Sequence, residues 1–415
     1  MKDPMPESKH DALQGIRVID FTIVMSGPMC TRLLSDAGAD VVKIEAPGGD
    51  IIRQRPPKKN GNGTYFSALN CGKRSVVLDL GTDEGKEVAR ELALGADVVV
   101  ENFRPGVMKR LGLDYLSLAA KNPRLIYCSV SGFGQSGPMA QTPAYAPVIH
   151  AASGYERAHM EYQRGAERPA NNGIFVADVL GAVHAAGAIQ LALFDRERTG
   201  KGQGIDLALM DAMLAMLVYE VQAAQVANPG RRQVYEPVRA SDGYVMVAAV
   251  TPKNLETLFE VIGYPEGKTD ERFATVASKE ANWSVLLDIT ERWTSERTAL
   301  ECERVLLAAG VPCSRYRTVG EAMAEPQIAE RGLMAKIGEG DESFLVPNPP
   351  YLMSKARVQA RPSVPALGQH TQDVLSQTLG YGEERLAQLA HKGVFGDADN
   401  AGRNAVPSAG RTSRF

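Results

Sequence analysis

From residue 15 onward the chain alternates two hydrophobic rhythms. Short apolar runs are separated by longer stretches in which apolar residues return every three or four positions. "GIRVIDF" predicts a buried strand, "GPMCTRLLSDAGAD" a helix with a glycine exit, and "VVKIEA" a second strand. "SVVLDL" at 75–80 predicts another strand. "TDEGKEVARELALGAD" predicts a helix opened by Thr82, with acidic side chains in its first turn. The strand "VVVEN", the short helix "PGVMKRLG" and the strand "RLIYCSVSGFG" follow. Repeated β-α-β units predict an α/β domain on a parallel, doubly wound sheet.

Beyond "DRERTGKGQ", residues 205–227 begin strand-like and continue as one long apolar helix, which "NPGRR" at 228–232 breaks. From about 234 to 335 the pattern changes: "DGYVMVAAV", both tryptophans (Trp283 and Trp293) and amphipathic helices such as "NLETLFEVIG" predict a smaller α/β domain. The Pro-rich "VPNPPYLMSKARVQARPSVPALGQHTQ" predicts an extended return to the first domain, and "DVLSQTLGYGEERLAQLAHKGVF" two short helices. The expected division is 1–227 for the first part of the large domain, 228–335 for the small domain with its linker, and 336–415 for the return. The polar tail from about 396 is expected to be disordered.

Composition narrows the function classes. A chain of 415 residues, 44% hydrophobic and 23% charged, can bury a large core. With 46 Lys and Arg against 49 Asp and Glu, the net charge of −3 offers no basic surface for nucleic acid. The five cysteines are scattered without a CxxC pair, which suggests free thiols in a reducing compartment and neither a zinc site nor a disulfide framework. The polar start "MKDPMPESKHDALQG" lacks a signal core, and no uninterrupted apolar run approaches the roughly 20 residues of a bilayer span. A cytoplasmic protein without membrane partners is expected. The first strand runs into "DFTIVMSGPMC", without the G-x-G-x-x-G of a nicotinamide-dinucleotide site.

One stretch raises a chemical question. In "NNGIFVADVLGAVHAAGAIQLALF", residues 171–194, a single carboxylate, Asp178, stands among apolar and small residues. An aspartate there can cap a helix, or it can be a nucleophile or base in a low-dielectric pocket.

Six stretches together resemble one family: "GIRVIDFTIVMSGPMCTRLLSDAGADVVKIEAPGGDIIR", "NCGKRSVVLDL", "ADVVVENFRPGVMKRLGLDY", "NPRLIYCSVSGFGQSGP", "DRERTGKGQGIDLALMDA" and "LGQHTQDVLSQTLGY". In this order they resemble the family III (CaiB/BaiF) CoA-transferases, which include formyl-CoA transferase, carnitine CoA-transferases and the related α-methylacyl-CoA racemase. The resemblance implies ring-shaped subunits interlaced in a homodimer, no permanently bound cofactor, no metal, and an acyl-CoA and a carboxylic acid as substrates. It places Asp178 at the position of the catalytic aspartate. There the apolar Val176, Val179 and Leu180 would desolvate it, while Gly181, Ala182 and Ala185 fit tight helix packing. The implied chemistry passes through an aspartyl anhydride and an aspartyl-CoA thioester, with water excluded.

By the same resemblance, Asn102, Phe103 and Arg104 in "VENFRPG" would contact CoA, Arg110 its phosphates, and Leu78 the adenine side, although Leu78 fits a core equally well. Val24 and Met25 would edge the active site, and Tyr145 would flank the aspartate. Departures matter. Met25 and Ala46 stand where formyl-CoA transferase carries Gln and Arg, which speaks against a formate–oxalate pair, and Ala146 replaces an acidic residue. The Gly-rich lid of the transferases has no counterpart in "ANPGRRQVYEPVRASDGY", so Arg231, Arg232 or Tyr235 would have to build it. Arg231, Arg232 and Arg239 favour an acceptor with a second carboxylate, such as succinate. The alternative is racemisation at the α-carbon. Racemase relatives use a His where this chain has Tyr145, a poor base with a pKa near ~10, and His150 is the one nearby imidazole.

Overall fold

A computed structural model describes residues 10–59, 62–163, 165–169, 172–227 and 233–396. Arg231, Arg232 and the tail beyond 396 therefore lie outside the described residues. The chain divides into two compact units. One holds the described residues up to Gln222 and again from Arg331; the other holds those between Ala223 and Glu330.

The larger unit is built on six parallel strands: β1 (Arg17–Asp20), β2 (Asp40–Glu45), β3 (Arg74–Val77), β4 (Val98–Glu101), β5 (Ile126–Ser131) and β6 (Gly204–Ala208). Their spatial order is β3-β2-β1-β4-β5-β6, a doubly wound sheet that reverses direction between β1 and β4. Side-chain alternation splits the strands between two cores. Val18, Val41, Val98 and Ile126 meet one set of helices, while Ile19, Val42, Val76 and Val99 meet another. Burial on both faces explains why these strands read as continuous apolar runs.

Seven helices of this unit bear on the site or its frame: α1 (Ser26–Asp36), α2 (Thr64–Asn70), α3 (Asp83–Leu94), α4 (Val107–Leu111), α5 (Ala146–Ala152), α6 (Val176–Thr199) and α7 (Leu209–Met216). Thr82 caps α3 as its sequence predicts, its hydroxyl accepting from the Gly85 amide at 3.0 Å. Helix α8 (Thr371–Leu379) brings the C-terminal segment back, with Val374 and Leu375 buried in the second core.

One expectation is corrected, and one helix needs a physical account. The apolar stretch after β6 is not one helix: Leu217, at ψ 52°, leaves helical geometry and separates α7 from a short helix at Val218–Ala223. And α6, with 24 residues, is long and apolar enough to cross a membrane by length and composition. Its small residues explain that composition differently. Ala182, Ala185 and Ala186 pack in one core with Cys30 and Leu34 of α1, and a Cβ on Gly181 would sit 2.3 Å from Leu209 Cδ2 of α7.

The smaller unit has a three-stranded antiparallel sheet (Val238–Ala240, Gly243–Val247 and Cys313–Arg315). Its helices bury Leu258, Phe259, Trp283 and Leu306. The Trp283 indole donates to the Val234 carbonyl at 2.9 Å.

Candidate active site

In a parallel sheet the crossover helices run against the strands, so their N-termini gather at the strands' carboxyl ends. The crevice at the β1/β4 reversal is where such folds bind ligands. Here the loop after β1, the residues after β4 and the starts of α1 and α6 converge there.

Asp178 is the third residue of α6, not its N-cap. The cap position is Phe175, which offers no side-chain hydrogen bond. The carboxylate is half-buried, and burial raises it to about 6, while the Ser26 hydroxyl at the start of α1 lies within hydrogen-bonding reach and pulls the other way. At neutral pH the group is ionised, incompletely solvated and favoured by the positive end of its helix. Its apolar neighbours Val176, Val179 and Leu180 are also half-buried.

Val24 and Met25 pack with Tyr65 of α2 against buried Ile52, Phe66 and Leu69. Burial and the charge of Asp178 both raise the Tyr65 hydroxyl, and the exposed Arg55 acts on it in the opposite sense. Ser26, Tyr65 and Arg55 escaped the sequence reading because each is an ordinary residue in a loop or helix start; only folding brings Ser26 and Tyr65 within reach of the Asp178 charge, and Arg55 within reach of Tyr65.

The loop carrying Val24 is strained and clamped. Val24 has φ 67°, a left-handed conformation that costs a β-branched residue about 1–3 kcal/mol. Its amide donates to Asp50 Oδ2 at 3.2 Å. On the preceding residue, Asn102 accepts from the Ile23 amide and donates to the Ile23 carbonyl, both at 2.8 Å. Gly27 lets the chain turn back into α1, since a Cβ there would lie 2.3 Å from Thr22 Cβ.

Beneath the loop runs a chain of buried charges. Lys73 Nζ donates to Asp20 Oδ2 at 3.0 Å, and Lys43 Nζ lies 3.4 Å from Asp50 Oδ2. Arg53 grips Glu45 with two bonds, of 2.8 and 2.6 Å. Burial would raise Asp20, but Lys73 and Lys43 outweigh it and the carboxyl stays below its usual range. Burial lowers Lys73 to about 8.

The remaining predicted residues fall in different settings. Phe103 is half-buried, whereas Arg104 and Arg110 are exposed around α4. Asn102 spends its amide on Ile23. Leu78 is fully buried in the second core, so its side chain presents no face to a ligand. Tyr145 precedes α5 and is 70% exposed. Tyr235 and Arg239 belong to the smaller unit, where Tyr235 stacks edge-on against Trp283 and the Arg239 amide bonds Glu291. His150 is fully buried. Glu101, ending β4, is a buried carboxylate raised to about 7 by burial, and it accepts from the Phe103 amide at 2.8 Å. Among the described residues no cluster of three or more His, Cys, Asp or Glu could hold a metal ion.

Comparison with known proteins shows which family the chain resembles. A family model described as CoA-transferase family III matches residues 13–371. The chain is 34% identical over 396 residues to the succinate–glutarate CoA-transferase of Agrobacterium fabrum, covering 90% of this chain and 97% of that one. It is 36% identical over 378 residues to the acetyl-CoA:oxalate CoA-transferase of Acetobacter aceti, covering 88% and 96%. Among solved structures, a CAIB/BAIF family protein from Brucella suis superposes with a TM-score of 0.78 at 33% identity, covering 89% of this chain and 100% of that one.

Proposed function

Because the chain belongs to CoA-transferase family III and is an acyl-CoA:carboxylate CoA-transferase, we propose that Asp178 is its nucleophile and that the acids it serves include dicarboxylates. One observation carries the first part. Asp178 is an ionisable carboxylate that burial raises to about 6, held at a helix start in the crevice where the sheet reverses.

A carboxylate oxygen of Asp178 attacks the thioester carbonyl, the C–S bond breaks, and CoA leaves as thiolate with a mixed anhydride on the enzyme. The thiolate then attacks the aspartyl carbonyl and releases the donor acid, leaving an aspartyl-CoA thioester. The acceptor carboxylate attacks that thioester and expels the thiolate. The thiolate recaptures the acceptor's acyl carbon, which restores the free carboxylate. Each intermediate keeps the energy of the thioester, so the reaction runs in both directions. Ionisation of Asp178 sets the nucleophile, and the Ser26 hydroxyl orients it. Exposed Arg104 and Arg110 would meet the CoA phosphates.

The relatives' names include succinate, glutarate and oxalate, all dicarboxylates. Support for such an acid in this chain comes from Arg55, an exposed cation whose charge, like that of Asp178, acts on the Tyr65 hydroxyl and which would take the second carboxylate. The racemase alternative is disfavoured by His150: the ring is fully buried and its Nε2 is occupied by a backbone amide, so it offers no base to a substrate α-carbon. Helix α6 leaves Val183, Leu191 and Phe194 at least half exposed, an apolar face that a second copy of the chain would cover in a homodimer. Five free cysteines fit a reducing, cytoplasmic setting.

The test is intact-protein mass spectrometry after incubation with a panel of acyl-CoAs, with hydroxylamine to trap the anhydride or thioester. An adduct on the peptide bearing Asp178, lost in Asp178→Ala, is expected. No adduct with any donor, together with α-proton exchange in deuterated water, would replace transfer by racemisation.

A further inference from the structure

We infer that His150 is a positioning residue for Asp178: it caps the first turn of α6 from a neighbouring helix and so fixes the direction in which the carboxylate points. The inference rests on Asp178 as the nucleophile.

A helix leaves its first amides without partners, and a polar side chain at the cap position usually takes one of them. Helix α6 begins after Phe175, which can take none. The missing acceptor comes from α5. The Ala177 amide donates to His150 Nε2 at 3.1 Å, and both residues are fully buried. Ala177 immediately precedes Asp178. A ring that accepts at Nε2 must carry its proton at Nδ1, and Nδ1 faces the Glu156 carboxylate at 3.9 Å. Burial lowers the imidazole pKa, which keeps the ring in this neutral form.

The surroundings are braced in the same way. Tyr155 meets the imidazole edge-on with ring centroids 5.5 Å apart. Its hydroxyl accepts from the Asn172 side-chain amide at 3.0 Å, and Asn172 Oδ1 accepts from the Ile174 amide at 3.0 Å. His150, Tyr155 and Asn172 thus hold the chain on both sides of the turn into α6.

The geometry gives a positional test. The terminal amide of Gln places an acceptor where Nε2 of His sits, the shorter Asn reaches only the Nδ1 position, and Leu keeps bulk without an acceptor. Turnover, KM for acyl-CoA and hydrogen exchange of the peptide containing Ala177 are measured for His150→Gln, His150→Asn and His150→Leu. A small misplacement of a reacting group costs up to about 100-fold in rate. The Asn and Leu variants are expected to lose about tenfold or more in kcat, with KM within about twofold and faster exchange at Ala177. The Gln variant should stay within about threefold of wild type on all three.

Wild-type turnover in His150→Leu, or Gln as impaired as Leu, would overturn the inference. If Asn and Leu fail to accumulate, the Gln variant alone decides: retained kcat and Ala177 protection support the acceptor role, and their loss refutes it. Asp178→Ala run in parallel separates the two readings. Turnover in that variant would remove the nucleophile itself, whereas an inactive Asp178→Ala beside a fully active His150→Leu removes only the role of His150.

Discussion

Replacing Asp178 by Asn keeps the shape of the side chain and removes only its charge, which isolates the cost of holding a carboxylate out of water. Burial raises the carboxyl from 3.8 to about 6. A group whose folded pKa is raised keeps its proton in the native state after the unfolded chain has released it. Stability therefore falls as pH rises between the two values. A difference of roughly two pH units corresponds to about 3 kcal/mol, an upper bound because the side chain is partly exposed. At pH 8 the Asn variant should be more stable than wild type by up to about 3 kcal/mol, and at pH 5 by roughly half of that. Denaturant unfolding of both proteins at the two pH values, with CoA-transfer assayed on the same samples, measures it. The expected outcome is an inactive variant whose advantage grows from pH 5 to pH 8. An advantage that does not change with pH, or a variant less stable at pH 8, would refute the claim that the carboxylate is desolvated.

Four other substitutions probe separate parts of the site. Ser26→Ala removes the group that lowers Asp178, so the acid limb of kcat/KM should move above pH 6 and the rate at pH 6 should fall about threefold, and a limb that stays at 6 would contradict it. Lys73→Met leaves Asp20 buried without its ion pair and should cost about 3–5 kcal/mol in denaturant unfolding, recovered in part by adding Asp20→Asn. Asn102→Ala orphans both polar groups of Ile23 and should cost about 2 kcal/mol, with a fall in kcat that a purely structural bond would not produce. Arg55→Ala should raise KM for a dicarboxylic acceptor about tenfold and leave that of a monocarboxylic acid within about twofold, read from initial rates with each acid.

The sheet was legible because strands buried on both faces must be apolar throughout, and the intervening helices carry their period and their caps in consecutive residues; Thr82 shows this. Asp178 stood out for a similar reason, as a lone carboxylate in an apolar stretch, but that pattern left a helix cap and a desolvated carboxylate both open until the structure put Phe175 at the cap. What escaped depends on long-range pairing. Lys73 and Asp20 are 53 positions apart, and Ala177 and His150 are 27 apart, so no local pattern links them. The interruption at Leu217 is a single dihedral in an otherwise helical run and leaves no mark in composition. Leu78 shows the converse: its motif position fits a ligand wall and a core equally well, and its packing just beyond β3 puts it in the core.

The buried charges under the crevice have a kinetic consequence. Asp20, Asp50 and Glu45 are matched by Lys73, Lys43 and Arg53, so the floor of the site carries no net charge. A polyanionic thioester diffusing toward the crevice is therefore neither drawn in nor turned away by that floor. In the proposed reading its capture falls to exposed Arg104, Arg110 and Arg55, whose fields fade beyond about 8 Å at physiological ionic strength. On that reading added salt slows the encounter while leaving the framework around Asp178 untouched.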